Sequence, residues 1–112
     1  MSVESQAKLR FLRMAPRKVR LVADMIRGKH VEEALNVLQF TPKGASEPLA
    51  KLLKSAVANA DQKKANVDKL WVKELQVQEG PMQKRYRPRA QGRATPIRKR
   101  SSHVYITLQE RD

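Results

Sequence analysis

Eight basic side chains stand between Gly80 and Arg100, and no acidic one: Lys84, Arg85, Arg87, Arg89, Arg93, Arg98, Lys99 and Arg100. Six are arginine, whose planar fork suits bidentate phosphate contact and stacking on bases. This stretch holds +8 of the formal net charge of +13, and the other 91 residues hold +5. Other chemistry finds little material. General acid/base catalysis needs paired titratable groups, and Asp24, Glu74 and Glu79 show no such pattern. With no cysteine, and only His30 and His103, the chain cannot build a thiolate or two-histidine zinc site. No catalytic residue, metal or cofactor is expected.

A charge run is usually a solvated face or a tail. This one is bracketed by strands. From Leu70 the apolar period is two: Trp71, Leu75 and Val77 share one face, and Glu74, Gln76 and Gln78 the other. Past the run, Val104, Ile106 and Leu108 alternate with His103, Tyr105 and Thr107. Antiparallel partners have residue numbers with a constant sum, and matching these apolar faces requires an odd one. A turn at Ala90-Gln91 gives 181 and pairs Val77 with Val104. A turn at Gln91-Gly92 gives 183 and pairs Val77 with Ile106, and glycine favours it. The tip therefore falls within Arg89 to Arg93. The expectation is a basic hairpin arm over residues 80–102, about 30–35 Å from Gly80 to its tip. Pro81, Pro88 and Pro96 remove ladder donors and keep it out of a wider sheet. An arm of this charge repels itself in water and makes sense among phosphates.

The rest of the chain must carry the arm. Ala7, Leu9 and Phe11 alternate with Lys8, Arg10 and Leu12, predicting a strand with one mostly apolar and one basic face. Pro16 opens a helix striped by Val19, Val22, Ala23 and Ile26, with Gly28 as its stop. Its first turns carry Arg17, Lys18 and Arg20, where the helix dipole is already positive, at about 0.3–1 kcal/mol per charge. Nothing local explains that placement, and an external anion would. Ala15 stands before Pro16 and caps poorly. A second helix runs from about Val31 to Leu38, on Val31, Ala34, Leu35 and Leu38, with Glu32 and Glu33 suited to its first turn. Thr41-Pro42-Lys43-Gly44 breaks it. A third helix starts between Lys43 and Glu47, with Pro48 tolerable only near that start. Its stripe is Leu49, Leu52, Leu53, Ala56, Val57 and Ala60.

One domain with a small core suits 112 residues. The sequence pI near 10.7 calls for a polyanionic partner. No long apolar run, signal peptide or lipidation motif points to a membrane. Such a sequence fits the cytoplasm, and a processed organellar protein would look the same.

Several stretches resemble the bacterial-type family of ribosomal large-subunit protein twenty-two. They are Pro-Arg-Lys-Val-Arg-Leu-Val-Ala-Asp-Met-Ile-Arg-Gly-Lys (16–29), Leu-Leu-Lys-Ser-Ala-Val-Ala-Asn-Ala (52–60), Glu-Gly-Pro (79–81), Lys-Arg-Tyr-Arg-Pro-Arg-Ala-Gln-Gly-Arg-Ala-Thr-Pro-Ile (84–97) and Lys-Arg-Ser-Ser-His (99–103). The resemblance implies an α+β fold, with three helices packed on a small three-stranded antiparallel sheet and a long protruding basic β-hairpin. It implies a single rRNA-binding domain on the large subunit, early binding in assembly, and neighbouring ribosomal proteins as partners. It also implies that the tip, Arg89, Ala90, Gln91, Gly92 and Arg93, lines the nascent-peptide exit tunnel, where changes alter macrolide sensitivity. No homo-oligomer is expected.

Charge pattern and resemblance together nominate the rRNA contacts: Lys8, Arg10, Arg13, Arg17, Lys18, Arg20, Arg27 and the eight basic residues of the arm. Arg20 and Arg27, seven apart, share a helix face. Tyr86 could stack on a base or stand as an exposed aromatic. His103, beside two serines, reads as a hydrogen-bonded structural residue or an rRNA contact. A small nuclease would need carboxylates that the arm lacks. A free nucleic-acid chaperone would share the charge but would not need one long arm.

Overall fold

Val104, Ile106 and Leu108 are buried while the residues between them are half-exposed, the signature of a strand with one face on a core. That strand, β5 (Ser102–Glu110), is the centre of the sheet. The computed structural model describes residues 3–81, 83–88 and 94–111, with backbone and register alone for 83–88 and 94–99. β1 (Glu4–Leu12) and β2 (Leu70–Glu79) flank β5, both antiparallel to it. Three helices, α1 (Pro16–Ile26), α2 (Val31–Phe40) and α3 (Ser46–Gln62), cover one face: α1 lies against β2, α3 against β1 and β5, and α2 against both other helices. The fold is thus α+β, three helices on a three-stranded antiparallel sheet. Its other face is open, as antiparallel sheets allow.

The helix stripes meet in the core as their spacing requires. Val19, Val22, Ala23, Leu53, Ala56 and Ala60 are fully buried, and Leu35 and Val57 partly so. Ser5, inside β1, is equally buried and donates its Oγ to Ala56 O at 2.9 Å, tying strand to helix. Helix ends follow local chemistry. Gly28 takes a φ of +81° after α1, and its N–H donates to Val72 O. Pro48 sits in the first turn of α3, where its missing N–H costs no hydrogen bond. α2 continues two residues beyond the expected Leu38, to an exposed Phe40.

Two bulges correct the strand expectations. In β1 the register shifts between Leu9 and Leu12, and Phe11 takes a φ of +59°. Phe11 is therefore 63 % exposed instead of facing the core with Ala7. In β2 the register shifts between Val72 and Glu74. The extra residue flips the alternation: Leu70 and Val72 are buried before it, Leu75 and Val77 after it. Trp71 leaves the face of Leu75 and Val77 and packs edge-on against His30 at 5.3 Å. His30 caps α2, accepting from Glu32 N–H at Nδ1 (3.2 Å) and pairing Nε2 with Asp68 O (2.6 Å).

The arm is a separate two-stranded sheet, β3 (Gln83–Pro88) with β4 (Ala94–Lys99). Its strands make their substantial contacts with each other. The Cα extents are 65 × 25 × 17 Å, with a radius of gyration of 17.3 Å, against about 13 Å for a compact chain of this length.

A single register does not run through β2, the arm and β5. Next to the body Val77 pairs with Val104, the 181 register; the 183 register favoured by Gly92 is not formed. In the arm Gln83 pairs with Lys99 and Pro88 with Ala94, a sum of 182. Between the paired Glu79–Ser102 and Gln83–Lys99, three residues on one strand oppose two on the other. The expected tip, Arg89 to Arg93, lies outside the described residues.

Candidate nucleic-acid interface

The basic residues named from the sequence fall into three settings. In the arm, the ladder sets Lys84 directly opposite Arg98, and Arg85 opposite Ile97. Strand alternation then assigns Lys84, Tyr86 and Arg98 to one face and Arg85, Arg87 and Lys99 to the other. Like charges in directly opposite positions are destabilising. The Lys84–Arg98 position therefore gains from an anion on its face. Arg89 and Arg93 lie outside the described residues.

The second setting is the end of the body from which the arm leaves. Leu12 pairs with Ser102, and Ser102 Oγ donates to Met14 O at 2.7 Å, so β1 ends and α1 begins beside the arm's root. Exposed Arg13, Arg17, Lys18 and Arg100 gather there. Ala15 supplies no side-chain cap, and no acidic residue occupies the first turn of α1. That turn carries two cations and no acid, which leaves it open to an external anion. Lys8 and Arg10 are exposed on the uncovered sheet face, where Lys8 pairs with Tyr105.

Arg20 and Arg27 form the third setting, and what they do was not legible from spacing. β2 is an edge strand, and its outward carbonyls at Leu75 and Val77 need donors. Arg20 Nη2 donates to Val77 O at 3.0 Å; Arg27 donates to Leu75 O from Nε at 3.2 Å and Nη2 at 2.7 Å, and its Nη1 pairs with Asp24. The shared helix face thus holds the sheet edge. β1 receives the same treatment on the opposite edge, where Asn59 Nδ2 donates to Gln6 O and Lys63 Nζ to Glu4 O, both at 2.9 Å. Side chains from α1 and α3 therefore occupy edge carbonyls that could template another strand.

His103 is engaged within the protein. Its Nδ1 accepts from Phe11 N–H at 3.1 Å, and the two rings meet edge-to-face at 4.9 Å. The bulge at Phe11 turns that N–H toward the imidazole, a contact without a sequence signal because no glycine marks the positive φ. Among the described residues no group of three or more His, Asp or Glu side chains could hold a metal ion, and no helix is long and apolar enough to cross a membrane.

Residues 7–109 match the family described as ribosomal protein L22p/L17e. The "Large ribosomal subunit protein uL22" of Myxococcus xanthus is 56 % identical over 111 residues, covering 96 % of this chain and 97 % of that protein. Proteins of the same name from Syntrophotalea carbinolica and Geobacter sulfurreducens are 54 % and 51 % identical, each over 97 % of this chain and at least 99 % of their own.

Proposed function

Because this chain belongs to the ribosomal protein L22p/L17e family, a non-enzymatic structural constituent of the large ribosomal subunit, we propose that it binds large-subunit rRNA through two linked surfaces. The body docks by its basic end, with Arg13, Arg17, Lys18 and Arg100 on phosphates and Lys8 and Arg10 on the adjoining sheet face. The arm threads between rRNA segments, with Lys84, Arg85, Arg87, Arg98 and Lys99 on both faces and Tyr86 available for stacking. Its tip, Arg89 to Arg93, reaches the nascent-peptide exit tunnel, and its early placement helps the subunit assemble. Arg20 and Arg27 contribute mainly through the β2 edge they hold, and His103 through the bulge it fixes. Neighbouring ribosomal proteins complete the surroundings. With both sheet edges occupied, the protein acts as one copy, in cytoplasmic ribosomes like those of its bacterial relatives.

The observation that carries this reading is the continuity of charge. Among the described residues the arm's strands make their substantial contacts with each other, and an uncapped, acid-free helix start lies at its root. Titrating the protein with a large-subunit rRNA fragment across salt tests it. Affinity should fall steeply, by roughly 0.7–0.9 in log–log slope for each phosphate neutralised. A flat dependence would overturn a phosphate-dominated interface. For the tip, a photo-crosslinker in place of Gln91 in assembled ribosomes should capture the nascent chain; capture of rRNA alone would remove the tunnel assignment.

A further inference from the structure

The ladder breaks between Glu79–Ser102 and Gln83–Lys99, and such a break would ordinarily be a swivel. Here it is fastened. Gly80 N–H donates to Ser101 O at 2.9 Å, and Ser101 Oγ donates to Pro81 O at 2.8 Å, so Ser101 grips the outgoing strand from both its backbone and its side chain. The next residue, Ser102, is fully buried and holds the β1–α1 connection at Met14 O. The one after, His103, holds the β1 bulge at Phe11 N–H. Three consecutive residues of the returning strand thus tie to three different segments. Gly80 closes the joint: a Cβ there would overlap Ser101 Oγ and lie 3.3 Å from both His103 Cε1 and Ser101 C.

We infer that Gly80 and the Ser101–Ser102–His103 run form a rigid joint that fixes the direction in which the arm leaves the body before any RNA is bound. Gly80 and Ser101 are then positioning residues. They touch no RNA in this scheme, but they remove an orientational search that the arm would otherwise make among rRNA segments. The functional half of the inference rests on the rRNA-binding reading above; the mechanical half does not.

The two halves are tested separately, in the full chain. With no native cysteine, spin labels at Lys54→Cys on α3 and Gln83→Cys at the start of the arm report one body-to-arm distance by pulsed dipolar spectroscopy. The parent should give a single narrow distribution. Gly80→Ala, which forces Ser101 Oγ aside, and Ser101→Ala, which leaves more room and serves if Gly80→Ala fails to fold, should each widen it about twofold or more. A parent distribution as wide as those of the variants, or variants as narrow as the parent, overturns the joint. Without labels, both variants should bind an rRNA fragment within about twofold of the parent yet enter large subunits about fivefold less well in direct competition with it. Equal incorporation despite a widened distribution overturns the positioning role. Failure of the rRNA-binding reading would show instead in the parent, as absent binding and incorporation.

Discussion

Replacing Lys84–Arg98 with a short glycine loop joins Gln83 to Lys99, which already face each other in the ladder. The change removes six cations, Lys84, Arg85, Arg87, Arg89, Arg93 and Arg98, and no anion, taking the formal charge from +13 to +7. All buried apolar residues described lie outside the segment. The body should therefore melt cooperatively and at nearly the parent temperature, with a small gain from reduced self-repulsion. Binding should respond differently. If all six cations lie on phosphates, the log–log salt slope becomes shallower by about 4–5, at roughly 0.7–0.9 per contact. Residual binding should persist through Arg13, Arg17, Lys18 and Arg100. Calorimetric melting and fluorescence anisotropy against one rRNA fragment, from about 50 to about 300 mM salt, measure both. Loss of the cooperative transition would show that the arm belongs to the core. A slope change below about 1 would show that its charges do not meet phosphates.

Leu53→Ala should cost about 3–5 kcal/mol, the upper part of the usual range, since Leu53 is fully buried under α3; an unchanged denaturation midpoint would refute its central packing. Lys64 holds a φ of +61° where α3 ends, and Ala65 N–H closes that end on Ala60 O, so Lys64→Gly should raise stability by about 0.5–1 kcal/mol; destabilisation in urea titration would contradict the strain assigned there. His30→Ala removes the cap of α2, the Asp68 contact and the Trp71 edge contact and should cost about 1–2 kcal/mol, accompanied by a change in Trp71 fluorescence; an unshifted midpoint would remove His30 from the capping role.

Most elements were legible because helix stripes and strand alternation are local. Val19, Val22, Ala23 and Ile26 share a buried face by spacing alone, as do Val104, Ile106 and Leu108. Where spacing failed, one residue had been inserted into a ladder. Neither bulge carries a glycine or proline to mark it: Phe11 is an aromatic at positive φ, and the β2 shift falls beside an ordinary Lys73. Each insertion reverses the parity of the residues beyond it, which is why Phe11 and Trp71 were placed on the wrong face. The break at residues 80–82 likewise defeated the assumption of one register from body to tip. The basic surface was legible as charge but not as division of labour. Arg20 and Arg27 look like Arg17 and Lys18 in sequence, and only the docking of α1 beside the β2 edge, 48 to 57 residues away, separates edge-holding from outward-facing cations.

The central place of β5 has a consequence for synthesis. β1 is made first and β2 much later, but neither has a strand partner until residues 102–110 exist, because Glu4 pairs with Gln109 and Leu75 with Ile106. Without residues 102–110 the chain has helix-forming stretches and a self-pairing arm but no three-stranded sheet for them to rest on. Closure of so long a loop is slow, and the apolar faces of two unpaired strands wait in the open meanwhile. The arm pairs within a short stretch of sequence, whereas the sheet that anchors it closes last, so the pieces with local partners can form ahead of the one that joins them.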